Sequence, residues 1–144
     1  MQDDLEYRRA ETAALRLIAR AEQNIAGLTR KLEKRKVAAD VASAVILHLC
    51  KLDLLNDSRY ARLWLQSRLR RFGQSPRRLL SSLCARGIQL DDARSALKEV
   101  LDNDAELAML EKFAEKYAQK NGLKFILKNE GFSTAVINRF LEID

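Results

Sequence analysis

Apolar residues recur at intervals of three and four along nearly the whole chain, the spacing that turns one face of an α-helix toward a core. One pattern occurs three times: Leu-x3-Leu-x3-Gly followed by an apolar residue. Leu79, Leu83, Gly87 and Ile88 spell it, and Leu123, Leu127, Gly131 and Phe132 repeat it. Leu28, Leu32, Lys36 and Val37 give it again, with Lys in place of Gly. An amphipathic stretch follows each copy: Val41, Val45 and Leu49, then Ala93, Leu97 and Leu101, then Val136, Ile137, Phe140 and Leu141. Another precedes each copy, carried by Leu15 and Ile18, by Tyr60, Trp64 and Leu65, and by Leu110, Phe113 and Tyr117. Each unit therefore predicts helix, short helix, helix. A unit of about 40 residues cannot bury its apolar face alone, and stacking of neighbours does so. The expected fold is all-α: three tandem three-helix repeats forming an elongated, curved array.

The copies start 51 and then 44 residues apart, so the third is compressed. This sets expected boundaries: an N-terminal tail over 1–9, then repeats over 10–55, 56–101 and 102–144. Gly after the short helix supplies the left-handed conformation that closes a helix. Lys36 is expected to take it under mild strain. Ser75-Pro76 reads as a helix start, with Ser at N-cap and Pro at the first helical position, where no donor is missed. Asn56-Asp57 and Ser133 are further candidate N-caps.

Composition narrows the alternatives. One Pro and five Gly in 144 residues are too few turn formers for a sandwich or barrel. A 47% apolar share is enough for a core and excludes wholesale disorder. Cys50 and Cys84 form neither a disulfide framework nor a zinc spacing. The opening MQDDLEYRRAE lacks the apolar region of a signal peptide, and no stretch approaches the ~18 apolar residues of a membrane span. A cytoplasmic protein in a reducing compartment, with no membrane contact, is the simplest expectation.

Net charge is +6, distributed unevenly. The 32 residues from Arg59 to Leu90 hold eight arginines and no Lys, Asp or Glu. Asp91 to Glu115 then carries −5, and the run from Arg30 to Lys36 carries +4. Arg grips phosphate or carboxylate with a planar two-donor fork, so the all-Arg window points to an anionic partner. On a helical wheel Arg59, Arg62 and Arg70 share a polar face with Gln66, and Arg77 and Arg78 point away from Leu79, Leu80 and Leu83. Arg71 borders the apolar arc. Arg68 falls inside it, so it is expected to act structurally, by snorkelling or pairing. Tyr60, Trp64 and Phe72 can stack on bases, but their helical spacing places them in a core.

No catalytic constellation is visible. His48 is the only His and sits in an apolar helix, with no second ligand at metal spacing. Neither GxxxxGK[ST] nor GxGxxG occurs. Asp91-Asp92 opens a helix, where acids favour the positive end of the dipole. Neither an enzyme, nor a metal, nor any cofactor is expected.

The stretch NDSRYARLWLQSRLRRFGQSPRRLLSSLCARGI resembles the RecX family of bacterial regulators of the RecA recombinase. Asn56-Asp57 followed by Tyr60-Ala61 resembles the family's acidic pair and aromatic-Ala, and Ser67-Arg68 its Ser-Arg. Arg78-Leu79, Leu83 and Arg86-Gly87-Ile88 resemble its basic-apolar, Leu and basic-Gly-Ile run. The flanking ALRLIARAEQNIAGLTRKLEKRK and LKFILKNEGFSTAVINRFL resemble its outer repeats. The resemblance spans about residues 10 to 143. It implies binding in the deep groove of the RecA filament on single-stranded DNA, and a monomer is expected. There it would bridge protomers, suppress ATP hydrolysis and strand exchange, and promote disassembly, in DNA repair by homologous recombination and the SOS response. Candidate contacts to filament or DNA, single- or double-stranded, are Arg59, Arg62, Arg70, Arg77, Arg78 and Arg86, with Arg30, Lys31 and Lys34. Two other functions fit the residues: a general nucleic-acid-binding helical module, or a helical scaffold for acidic protein partners.

Overall fold

A computed structural model describes residues 2–69, 73–117 and 121–142. Among them are nine α-helices and no strand. The first set is α1 (Gln2–Arg20), α2 (Ile25–Lys34) and α3 (Ala39–Lys51). The second is α4 (Asp57–Leu69), α5 (Pro76–Ala85) and α6 (Leu90–Val100), and the third is α7 (Asn103–Ala114), α8 (Leu123–Asn129) and α9 (Thr134–Glu142). The all-α, three-helix-repeat fold follows the apolar spacing. Helix α1 starts at Gln2, so the segment expected as a tail is helical, and Tyr7 packs on the core. Arg70, Arg71 and Phe72 lie outside the described residues.

The chain divides into two compact units. The first comprises Met1–Tyr60 with Arg86–Ile88. Its core joins Ala10, Ala14 and Leu17 of α1 to Leu28 and Leu32 of α2 and to Ala42, Val45 and Leu49 of α3. Asn24 caps α2 by accepting the Gly27 N–H (2.7 Å), and the Ile25 N–H donates to Asp57 Oδ1 (2.8 Å). Lys36 takes the left-handed conformation, as its place in the repeat predicts (φ +63°), while Val37 N–H donates back to Leu32 O (3.1 Å). Asp53 ends α3 in the same way (φ +57°), with no glycine in the sequence to announce it.

The second unit comprises Ala61–Ala85 and Gln89–Asp144. In it α5 packs on α6, and α9 packs on α7 and α8. Leu79 and Leu83, Ala93 and Ala96, Leu110 and Phe113, Leu127, and Val136 and Ile137 are buried. The expected caps are present: Arg78 N–H donates to Ser75 Oγ (3.2 Å) and Val136 N–H to Ser133 Oγ (3.3 Å) in this unit, and Arg59 N–H to Asn56 Oδ1 (2.9 Å) in the first. The buried Glu106 carboxylate accepts the Ser133 N–H (2.6 Å) and hydroxyl (3.1 Å). Arg68 lays its guanidinium 5.0 Å from the centre of the Trp64 ring. Its place in the apolar arc is thus resolved by an aromatic face, and among the described residues no acid or carbonyl meets it. Arg68→Ala is expected to lower unfolding free energy by about 0.5–1 kcal/mol and leave nucleic-acid affinity unchanged. Urea melts and oligonucleotide titrations on the same sample check both.

Glycine in the repeated pattern has a packing role as well as a conformational one. Gly131 (φ +91°) lies where a Cβ would stand 3.2 Å from the Arg77 amide nitrogen and 3.4 Å from Pro76 Cβ. Gly87 (φ +98°) lies where a Cβ would overlap the Ala26 methyl. Both glycines therefore abut the first turn of the preceding short helix. Lys36, at the same place in the first copy, is exposed, so a side chain is tolerated there and the backbone conformation is its constraint.

Glu130 anchors the same turn. Its Oε2 accepts from Ser75 Oγ (2.6 Å), its Oε1 from Arg77 Nη2 (3.0 Å), and its carbonyl from the Arg77 N–H (2.9 Å). The bond from Arg77, then that from Ser75, holds the Glu130 carboxyl below the usual glutamate range. The ionised form is thus favoured in the folded state. Its stabilising effect is fully present above the unfolded value, about pH 4.3, and is lost as pH falls through the lower folded value. Glu130→Gln is expected to flatten the acid limb of stability against pH below about 4.3, read by urea midpoints from pH 6 to 3. An unchanged limb would remove Glu130 from the acid response.

Candidate functional site

In the first unit a cleft of about 440 Å³ opens beside α2. Gly27, Arg30, Lys31 and Lys34 line one side. Their i, i+3, i+4, i+7 spacing puts them on one helix face, while Leu28 and Leu32 turn inward to the core. Gly27 adds no side chain, which leaves the cleft open. Tyr60 and Arg86 line the other side, and Arg86 Nη1 donates to the Tyr60 hydroxyl (3.2 Å). The turn between α1 and α2 closes the end with Glu22, Gln23 and Asn24.

Buried polar groups fix this end. Gln23, only 7% exposed, donates from Nε2 to Leu17 O (3.2 Å) and Ala21 O (3.3 Å). Its Oε1 accepts from Lys31 Nζ (2.8 Å), so the ammonium is held against the wall. Lys31 and Lys34 stand in the last turn of α2, where cations meet the negative end of the helix dipole. Glu22 is the one acid in the lining, and Arg59 Nε donates to its Oε1 at 2.9 Å. That bond, and the attraction of Glu22 and Asp53, raise the Arg59 pKa. The lining therefore presents four cations and one acid, which is itself bonded to Arg59.

The expected contact residues separate in three dimensions. Arg30, Lys31, Lys34 and Arg86 meet in the cleft. Arg59 borders it but is committed to Glu22 and to Asp53, whose Oδ2 lies 3.4 Å from Nη1 and whose carbonyl accepts from it (3.0 Å). In the second unit Arg62 faces Glu99 (3.6 Å) and Arg77 faces Glu130 (3.0 Å). Arg78 is exposed on α5, with no acid in ion-pair reach among the described residues. Arg70 is not among the described residues. Arg77 and Arg78 are exposed, as the wheel expects, and Arg59 and Arg62 are half-buried, but a wheel could not show which acids come to meet them. Tyr60, expected in the core, is half-buried on the cleft wall. The stripe at 27, 30, 31 and 34 was legible as a helical spacing and would have located that wall.

The chemistry available is donation to an anion. Guanidinium, ammonium and phenol groups converge there, and no nucleophile stands beside a base. His48 Nε2 lies 3.8 Å from Glu11 Oε2, with both groups on α1 and α3 outside the cleft. Burial, and then the Asp57 carboxylate, push the Cys50 thiol up and away from thiolate. Among the described residues no group of three His, Cys, Asp or Glu can hold a metal ion. None of their helices is long and apolar enough to cross a membrane.

The family described as RecX, second three-helix domain, matches residues 56–97, which are α4 to α6. Regulatory protein RecX of Treponema pallidum is 32% identical over 139 residues, covering 94% of this chain and 85% of that protein. The chain belongs to the RecX family. Regulatory protein RecX of Thermus thermophilus is 34% identical, covering 85% of this chain and 83% of that protein. A crystal structure of RecX from Lactobacillus salivarius superposes with a TM-score of 0.76 at 24% identity, covering 95% of each chain. A second RecX crystal structure gives 0.79 at 16% identity, covering 98% of this chain and 74% of the other. These structures share the helical-repeat fold, and the named relatives assign the chain a regulatory role.

Proposed function

We propose that this RecX-family chain binds the RecA filament on single-stranded DNA and restrains its ATP hydrolysis, strand exchange and stability. The observation that carries this reading is the convergence of Arg30, Lys31, Lys34 and Arg86 in one cleft whose single acid is already paired. A filament offers anions from both of its components, carboxylates of the protein and phosphates of the strand, and guanidinium forks suit either. The chain acts by binding, as a cytoplasmic monomer, without turnover or cofactor. Its repeats, over 10–55, 56–101 and 102–144, present successive contacts to successive protomers. Arg78, exposed and without an acid partner among the described residues, is a contact of the second repeat.

The test is the ATPase of the same organism's RecA on single-stranded DNA, titrated with this protein. Hydrolysis is expected to fall as the protein reaches micromolar concentration. No change at micromolar excess, with binding to bare DNA intact, would leave a general nucleic-acid-binding module as the correct reading.

A further inference from the structure

We propose that the outer face of α1 is a second polyanion site, separate from the cleft, that holds the phosphodiester backbone of a nucleic acid strand. Arg9, Arg16 and Arg20 fall within roughly 40° of one another at 100° per residue. They form a straight row whose ends are 11 residues, or roughly 16 Å, apart. An open depression of about 290 Å³ lies on this face, lined by Arg8, Arg9, Thr12, Ala13 and Arg16. All four arginines are exposed.

The charges on this face are not compensated. Among the described residues no carboxylate stands in ion-pair reach of these arginines. Glu11 of the same helix faces His48 on α3. Glu6 stands one turn before Arg9 and lines a neighbouring depression with it, so the part of the row without an acid neighbour on its own helix face is Arg16 and Arg20. Like charges one turn apart, such as Arg16 and Arg20, destabilise a helix. Elsewhere in the same unit the exposed end of Arg59 receives two carboxylates. A row left uncompensated on the longest helix is explained by a partner that brings the counter-charge.

The form of the row selects that partner. It is linear, so it matches a linear polyanion. Its groups are guanidinium forks and a Thr12 hydroxyl, the side chains that position phosphate oxygens. Ala13 is the only apolar residue in the lining of the depression, beside the arginine stems, whereas a protein interface needs a large apolar or aromatic anchor at its centre. A convex helix flank reaches phosphates and not base edges, so binding is independent of sequence. The proposal needs no recombinase and stands or falls apart from the cleft.

The experiment measures binding of the full chain to a fluorescent 30-nucleotide oligo(dT) and to a mixed-sequence 30-base-pair duplex, without RecA, at two salt concentrations. The variant is Arg9→Gln/Arg16→Gln/Arg20→Gln, with helix content checked by circular dichroism. Affinity for the strand is expected to fall at least tenfold, and the slope of log affinity on log salt to shrink by about 2 to 3 as three phosphate contacts are lost. An unchanged affinity and slope would refute the proposal. So would wild-type binding of a poly-glutamate peptide at the same concentration with an equal loss in the variant, which would make the partner an acidic protein segment. A measurement on the unaltered protein guards against a folding defect. Phenylglyoxal modification of Arg9, Arg16 and Arg20, read by mass spectrometry, is expected to be suppressed by saturating oligonucleotide, and equal labelling with and without the strand would overturn the assignment.

Discussion

Gly87→Val is expected to destabilise the protein by about 2–5 kcal/mol. Two effects add. A β-branched residue in the left-handed region costs roughly 1–2 kcal/mol, and Gly87 sits there at φ +98°. The new side chain also enters space already filled by the Ala26 methyl, and overpacking of this kind costs about 1–3 kcal/mol. Native domains have only about 5–15 kcal/mol in total, so the loss is a large part of the whole. At about 2–4 °C per kcal/mol for a chain near this length, the melting temperature should fall by roughly 5–20 °C. Gly122 supplies the control: its φ is also positive, +76°, but no atom lies within 4 Å of an added Cβ. Gly122→Ala should therefore show the conformational cost alone, about 1 kcal/mol. Urea denaturation followed by circular dichroism measures both. Equal losses for the two variants would mean that contact with Ala26 contributes nothing.

Arg30→Glu/Lys34→Glu/Arg86→Glu is expected to weaken inhibition of the RecA ATPase more than a hundredfold. A hydrogen bond to a charged group contributes about 1.5–3 kcal/mol. Loss of three, even partly additive, exceeds the roughly 2.7 kcal/mol that a hundredfold requires. Lys31 is left in place because Gln23 already holds its ammonium. Reversal at Lys34 also sets an acid against the negative end of α2, at about 0.3–1 kcal/mol, so the neutral Gln variant is measured beside it. Central arginines are poorer probes. Arg59→Glu would set a new carboxylate against Glu22 and Asp53, and Arg77→Glu would set one against Glu130. Such variants damage the fold first and report on binding second. Undiminished inhibition by the cleft variant at equal helix content would remove the cleft from the mechanism.

The two classes of arginine mark where sequence patterning stops being informative. Arg68 lay in the apolar arc of its helix, and a helical wheel is enough to predict a structural role, because i and i+4 neighbours belong to the same helix; Trp64 is that neighbour. Arg59 and Arg77 lay on the polar side and looked free. Their partners, Glu22 and Glu130, are 37 and 53 residues away in the chain, and no local period reports such a pairing. The arginine-rich window therefore overstated the free positive charge of the central helices. It also drew attention from α1, whose arginines are interspersed with Asp4, Glu6 and Glu11 and so average out along the chain.

The sequence alone misplaced the inward face of α1: Leu15, expected to face the core, is exposed, and Ala10, Ala14 and Leu17 are buried instead. The sequence by itself determined the helices, their grouping in threes, the caps at Asn56, Ser75 and Ser133 and the repeated leucines of the core. These are set by short-range geometry: the 3.6-residue period, side-chain oxygens at N-caps, and a left-handed residue after each short helix. Only the tertiary structure decided which charges remain available to a partner. Ion pairing depends on distances of a few ångströms between residues far apart in the chain, and burial of the apolar faces fixes those distances. The same closure set Gly87 against Ala26 and Gly131 against Pro76, turning a residue that the backbone merely prefers into one that packing requires.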